Sequence, residues 1–385
     1  MTYMLNLTEF SSIRPYTDEE AVFALGKVAD HPLLPQFSQK FFPDQAPDFL
    51  KNILKNVTSV DDFQVKVMSR FVAWVLQTTA TGFTCNGIDN INSGKKFLVL
   101  SNHRDIILDP AIVQLVLFQN NIPLTEIAVG DNLISGETME YLLRSNRMIK
   151  VVRGISAREL YLSSQMLSKY IRVNLTNQRS SIWLAQRQGR TKDGNDQTEQ
   201  GLLKMLDMSG SDDFQKSWEE LNVVPMSISY EYEPCDILKA REIVISSKQK
   251  YVKAEGEDLN SILTGVQQPK GNVHLEICTP LSSEEIAKAA ACDKNERYQQ
   301  IKLAVDRRVI GGYKLWKTHY IAYDIVYQTG KYASMYEEAD VQKFVAYMEH
   351  QLNTVEPELD RGELKKVFLD IYANPVVSKE QLENM

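Results

Sequence analysis

The segment SNHRDIILDP, residues 101 to 110, places a histidine, an arginine and two aspartates within seven positions. Imidazole takes up and releases a proton near neutral pH, and a neighbouring carboxylate can fix its tautomer and stabilise the imidazolium. We therefore predict that His103 is a general base, oriented by Asp109 or Asp105. The chain has no GxSxG segment, so we expect the deprotonated hydroxyl to belong to a substrate and not to a serine of the protein.

Two other enzyme classes share parts of this pattern. In a protein kinase an asparagine follows the HRD aspartate by five residues, whereas Pro110 occupies that position here. A two-metal phosphoesterase needs several histidine and aspartate ligands, but the five histidines of this chain are not paired at ligand spacing. We therefore predict neither a kinase nor a metal site.

Positive charge is concentrated in one part of an acidic chain. The 385 residues carry a net charge of -7, yet residues 141 to 192 contain eleven lysines and arginines and one acid. Such a block favours an anionic partner. The four cysteines form no CxxC pair, no signal peptide is recognisable, and the longest apolar run near Trp74, FVAWVL, is far too short to span a bilayer. We expect a cytoplasmic protein. Any association with a membrane should be peripheral.

The hydrophobic pattern predicts an α/β protein whose mixed, largely parallel sheet is flanked by helices. Residues 1–81 are predicted to form an N-terminal helical region, 82–282 the α/β domain and 283–385 a C-terminal helical extension. In the middle segment, short apolar runs alternate with amphipathic stretches, and residues 237 to 282 are expected to form an irregular excursion with a closing strand. Because ligands gather at the carboxyl ends of parallel strands, the polar residues that follow three of these strands should share one crevice.

Over residues 82 to 282 the order of four segments resembles that of the glycerolipid acyltransferases, the glycerol-3-phosphate and 1-acylglycerol-3-phosphate acyltransferases. The resemblance implies that the first segment supplies the catalytic histidine and aspartate, the second and third bind the phosphate of the acceptor, and the fourth lies on the acyl-donor side. The segments are GIDNINSGKKFLVLSNHRDIILDP (87–110), MIKVVRG (148–154), RQGRTKDG (187–194) and VVPMSISYE (223–231).

The resemblance also implies a set of substrate-binding residues in the second and third segments. The phosphate would be held by charge-assisted hydrogen bonds from arginine and lysine, and a glycine would make the turn. The family usually has glutamate where this chain has a glutamine. The predicted residues are Arg153, Arg187, Gln188, Gly189, Arg190 and Lys192.

The spacing of the first segment departs from the family pattern, which places four residues between histidine and aspartate. His103 and Asp109 enclose five, and residues six apart on a regular helix lie about 240° apart. Either His103 precedes the helix on a loop, or a π-bulge absorbs the additional residue. We favour Asp109 because Leu108-Asp109-Pro110 matches the family's letters, with Asp105 as the alternative.

The resemblance implies an O-acyltransferase of phospholipid biosynthesis. It would move a fatty acyl group from acyl-CoA or acyl carrier protein to a hydroxyl of glycerol 3-phosphate or lysophosphatidate, without a cofactor, a metal or a covalent intermediate. Its localisation would be cytoplasmic or peripheral on the inner face of the membrane. The alternative is a non-catalytic module that binds acyl carrier protein or anionic phospholipid through the same cations; no nucleic-acid partner is expected.

Overall fold

The computed structural model describes residues 7–91, 94–134, 136–153 and 156–384. Gly154, the last residue of the second family-like segment, lies outside the described residues. Before the sheet, the described chain forms short helices, and a π-helical turn, Gln64–Met68, joins the last two of them. These helices are α1 (Asp18–Val28), α2 (Leu34–Phe41), α3 (Phe49–Lys55), α4 (Val60–Phe63) and α5 (Ser69–Thr79).

Among the described residues, a sheet of seven strands forms the centre of the molecule, with the order β1-β7-β6-β2-β5-β3-β4. All neighbouring pairs are parallel except β6 and β7. The predicted fold class is therefore confirmed, and the strand at residues 80 to 86 was not predicted. The strands are β1 (Ala80–Asn86), β2 (Leu98–Ser101), β3 (Glu126–Gly130), β4 (Met148–Val151), β5 (Ile182–Ala185), β6 (Val223–Tyr230) and β7 (Gly271–Ile277).

Helices cover both faces of this sheet, as the fully buried central strands require. Alternate side chains of β2 face opposite sides: Leu98 and Leu100 pack into one core, and Val99 packs into the other. The prediction that the segment after residue 237 is irregular is wrong, because this segment contains two helices. The helices within the sheet region are α6 (Leu108–Gln119), α7 (Glu137–Ser145), α8 (Ala157–Thr176), α9 (Gln200–Asp207), α10 (Phe214–Glu219), α11 (Asp236–Lys248) and α12 (Glu257–Gln267).

The C-terminal part of the chain is helical, and it packs against α11 through a core of its own. None of the described helices is both long and apolar enough to cross a membrane. Short 3-10 helices occur at Leu7–Phe10, Ile88–Ile91, Asp131–Leu133 and Ala333–Met335. The C-terminal helices are α13 (Ser283–Ala290), α14 (Glu296–Gly311), α15 (Lys317–Tyr327), α16 (Glu338–Leu352) and α17 (Arg361–Glu383).

Candidate active site

His103 lies on the loop between β2 and α6, two residues past the end of the strand. Its Nδ1 is 2.8 Å from Oδ2 of Asp109, which stands in the first turn of α6. Of the two ways to accommodate the longer spacing, the structure shows the loop, with no π-bulge between the two residues. The loop reverses the chain so that the carboxylate returns to the ring.

Asp109 is buried and receives hydrogen bonds from several directions. The backbone N–H groups of Arg104 and Asp105 donate to its Oδ2 at 2.5 and 2.8 Å, and the Tyr230 hydroxyl donates to its Oδ1 at 2.7 Å. A carboxylate surrounded by donors is an acceptor, so the imidazole Nδ1 carries the hydrogen in the His103 bond. The Nε2 of His103 is then the nitrogen with a free lone pair.

Asp105 does not pair with His103. Its Oδ1 accepts the backbone N–H groups of Ile107 and Leu108 at 2.9 and 2.8 Å, which caps the start of α6. Burial, and next the negative charge of Asp109, raise the pKa of this carboxyl group. The alternative pairing predicted for Asp105 is thus not the one formed, because Asp109 occupies the position beside the His103 Nδ1; the second oxygen of Asp105, Oδ2, is buried without a hydrogen-bond partner among the described residues.

A buried network of ion pairs and hydrogen bonds fixes the loop that carries His103. The guanidinium of Arg104 donates to Asp196 through Nη2 at 2.6 Å and lies 3.4 Å from Glu233. Tyr313, from the C-terminal region, donates its hydroxyl to the same Asp196 at 2.6 Å. The Lys239 ammonium bonds both Glu233 and the Arg104 carbonyl, at 2.6 and 2.7 Å. Buried charges are tolerated when paired in this way, so the network holds the loop in one conformation.

His103 opens onto a cavity of about 720 Å³ with a mostly apolar lining. The edge of its ring contacts Trp183 of β5, with the ring centroids 5.5 Å apart. The cavity runs along the sheet between α6, α7, α12 and the N-terminal helices α2 and α3. Apolar wall residues include Leu34, Phe41, Leu54, Val67, Phe71, Leu115, Ile127, Leu142, Met148 and Val266.

Five of the nine predicted site residues line this cavity, because the carboxyl ends of β2, β3, β4 and β5 lie at one edge of the sheet. Their roles as catalytic or substrate-binding residues stay predictions. Asp109 stands behind the ring. The five are His103, Arg153, Gly189, Arg190 and Lys192.

Arg187 and Gln188 are not among the residues that line the cavity. Gln188 is exposed, and its backbone N–H donates to Glu199 at 3.2 Å, so the first part of the turn faces away. Gly189 has a φ of 75°, and the backbone reverses direction there. The backbone N–H of Thr191 then donates to the backbone carbonyl of His103 at 2.8 Å. The part of the turn after Gly189 therefore reaches the site.

The cations at the cavity differ in whether an acid already neutralises them. Lys192 forms an ion pair with Glu242, and Lys253 forms one with Asp258. In the described part of the chain, Arg153 and Arg190 form no ion pair, and Nη1 of Arg190 is buried without a hydrogen-bond partner. Burial lowers the pKa of Arg153. The two arginines thus offer positive charge to an anion in the cavity.

Arg153 is held close to the backbone at the end of β3. A Cβ atom at Gly130 would lie 2.6 Å from the Arg153 Cζ, so glycine is what allows the guanidinium to sit there. The backbone N–H of Arg153 donates to Asp131 at 3.2 Å. The position of Arg153 is therefore set by Gly130 and Asp131, at the end of the neighbouring strand β3.

Much of the basic block serves the fold. Arg144 is buried, donates to the carbonyls of Ser11 and Arg14, and pairs with Glu140. Arg172 is likewise buried among α9 and α10, where it donates to the Ser217 carbonyl at 2.7 Å. The expectation that these cations as a group meet an anionic partner is therefore corrected for Arg144 and Arg172, which are used by the fold.

Sequence reasoning missed several residues of the site. Tyr230 was part of a predicted strand, but nothing in its spacing shows that its hydroxyl meets Asp109. The cavity walls from α2 and α3 were also missed, because an apolar face looks the same whether it packs on a core or borders a cavity. The position of Tyr230 at the carboxyl end of β6 was the one available signal.

Residues 82–229 match the model of the family described as Acyltransferase. The matched segment contains the first three segments of the resemblance seen in the sequence and nearly all of the fourth.

Among solved structures, the chain is similar to the 1-acyl-sn-glycerophosphate (LPA) acyltransferase PlsC from Thermotoga maritima. The sequence identity is 13%, the TM-score is 0.39, and the match covers 75% of this chain and 93% of that one. No curated protein matches the chain significantly.

Proposed function

We propose that this protein transfers a fatty acyl group from a thioester to a hydroxyl of a glycerol phosphate, either glycerol 3-phosphate or lysophosphatidate. The observation that carries the proposal is the meeting of three features in one cavity: the His103–Asp109 pair, two arginines without ion-pair partners, and a long apolar wall. The acyltransferase-family match supports catalysis over mere binding of a carrier protein or lipid.

In this proposal, Nε2 of His103 takes the proton from the acceptor hydroxyl while Asp109 holds the ring and stabilises the imidazolium. The hydroxyl oxygen bonds to the thioester carbon. When the tetrahedral intermediate collapses, the carbon–sulfur bond breaks and the imidazolium returns its proton to the departing thiolate. The cycle needs no metal and no covalent enzyme intermediate.

Arg153 and Arg190 bind the acceptor phosphate, with Lys192 close by. Placing a dianionic group between two guanidinium groups forms charge-assisted hydrogen bonds, which are stronger than neutral ones. The partly desolvated environment of Arg153 strengthens this attraction relative to an exposed site. The apolar cavity holds the acyl chain, whose burial contributes about 0.8 kcal/mol per methylene.

We further propose that the protein works in the cytoplasm, at the inner face of a membrane. Three large apolar residues that line the cavity are also exposed, Phe37 by 39%, Phe118 by 40% and Leu259 by 51%, so the cavity has an apolar border that suits a lipid surface. All four cysteines are free thiols, which suits a reducing compartment. The donor is acyl-CoA or acyl carrier protein.

The test is an acceptor screen with one labelled palmitoyl thioester, presented on CoA and on acyl carrier protein. Purified full-length protein is expected to produce acylated glycerol 3-phosphate or phosphatidate at rates above the uncatalysed background. Binding of lipid vesicles or carrier protein without turnover on any acceptor would contradict the proposal and favour a non-catalytic module.

A further inference from the structure

The apolar cavity contains a pair of buried amide side chains far from the reacting groups. Gln64, in the π-helical turn, donates from Nε2 to Oδ1 of Asn146 at 2.6 Å. Both side chains line the cavity, and the residues are 4% and 8% exposed. Amide groups are costly to bury in apolar surroundings unless their hydrogen bonds are made.

This pair differs from another amide on the same wall. Gln114 uses both ends of its side chain on Thr125: its Nε2 donates to the hydroxyl at 2.6 Å and its Oε1 accepts the backbone N–H at 3.0 Å. In contrast, Oε1 of Gln64 and Nδ2 of Asn146 make no hydrogen bond within the described part of the chain. One acceptor, on Gln64, and one donor, on Asn146, are therefore left over in this hydrogen-bonded pair.

The pair lies at the opposite end of the strands from His103. Asn146 comes two residues before β4 begins, whereas Arg153 comes two residues after it ends. The strand of four residues between them spans roughly 13 Å at about 3.3 Å per residue. A chain that starts at His103 and follows the cavity would reach the amides in its distal half.

We propose that Gln64 and Asn146 form a binding site for a hydroxyl group on the distal half of the transferred acyl chain. A hydroxyl both donates and accepts, so it complements the free Oε1 of Gln64 and the free Nδ2 of Asn146. A plain hydrocarbon leaves both amide atoms desolvated and unbonded, which disfavours it at this point of the cavity. This inference rests on the proposed function and adds the chemical class of the acyl donor.

The experiment compares three acyl-CoA substrates of equal chain length: unsubstituted, hydroxylated next to the thioester, and hydroxylated in the distal half. The wild-type protein is expected to show a kcat/KM for the distal hydroxyl about fivefold to tenfold above that of the unsubstituted chain. The hydroxyl next to the thioester should bring no such gain, because it does not reach the amides.

Two variants of conserved volume, Gln64→Met and Asn146→Leu, test the assignment. Each is expected to abolish most of the distal-hydroxyl preference, partly through better transfer of the unsubstituted chain. The matched control, Gln114→Met, removes an amide from the same wall, and it should leave the preference unchanged. Should that variant fail to fold, Leu124→Met is a second control, because it changes another residue of the cavity wall without touching the two amides.

The outcomes separate the two proposals. Turnover of unsubstituted chains with no distal preference, or a preference that survives both amide substitutions, would overturn the hydroxyl site and leave the acyltransferase intact. A hydroxyl preference found in the chain of the acceptor and not of the donor would also overturn it. Absence of turnover with every chain, presented on CoA and on acyl carrier protein, would instead contradict the proposed function.

Discussion

The imidazole of His103 and the carboxylate of Asp109 lie 2.8 Å apart although six positions separate them in the chain. The loop makes the pairing possible by turning its backbone N–H groups at residues 104 and 105 toward the same carboxylate oxygen. One oxygen thus orients the ring and ties down the loop that carries it. The same hydrogen bonds to Asp109 therefore shape the loop and orient the ring for base catalysis.

We predict that Asp109→Asn lowers kcat by roughly 10³-fold, because an amide presents the wrong hydrogen-bond partner to Nδ1 and cannot stabilise the imidazolium. Steady-state kinetics with an acyl thioester and glycerol 3-phosphate measure the loss. Tyr230→Phe is the matched control, since it removes one donor from Asp109 without touching the ring, and it should cost less than tenfold. Equal losses in the two variants would contradict an orienting role for Asp109.

We predict that Arg153→Gln and Arg190→Gln each raise KM for a phosphate-bearing acceptor by about tenfold to a hundredfold, with a smaller effect on KM for the thioester. The physical reason is the loss of a charge-assisted bond to the phosphate. Arg187→Gln is the control from the same turn, outside the cavity, and it should leave the acceptor KM near wild type. If all three variants behaved alike, the phosphate site would lie elsewhere.

The sequence predicted those features that depend on residues close together in the chain. The strands after β1, their order along the chain, and the convergence of His103, Arg153 and Arg190 at one edge follow from hydrophobic runs and from the geometry of parallel sheets. Helix α11 was missed because its apolar residues do not form one stripe, whereas α12 has a helical apolar spacing, Leu259, Ile262, Leu263 and Val266, that was overlooked. The links from Tyr313 to Asp196 and from Tyr230 to Asp109 join residues more than a hundred positions apart, and no local pattern encodes such pairings.

His319 gives a pH prediction for the C-terminal region. Burial, and next the positive charge of Arg104, lower the pKa of this imidazole to about 3, and its Nδ1 accepts the backbone N–H of Trp316. The unfolded chain binds a proton near its ordinary pKa of 6.5, whereas the folded chain does not until about 3. The contribution of neutral His319 is therefore present above pH 6.5 and is lost as the pH falls toward 3.

Urea unfolding between pH 7 and pH 4 measures this effect. The wild-type free energy of unfolding should fall more steeply than that of His319→Asn, by about 1.4 kcal/mol per pH unit below the ordinary histidine pKa. Asparagine keeps an acceptor for the Trp316 N–H and does not titrate. Parallel slopes for the two proteins would show that His319 is protonated in the folded state.

In the proposed mechanism, Nε2 of His103 removes the proton from the acceptor hydroxyl. The most direct measurement is the single-turnover rate of acyl transfer from palmitoyl-CoA to the preferred acceptor by His103→Ala, beside an unfolding curve that reports whether the fold is intact. The account predicts a folded variant whose rate falls by at least about 10³-fold. A folded His103→Ala protein that transfers the acyl group at a rate close to wild type would contradict it.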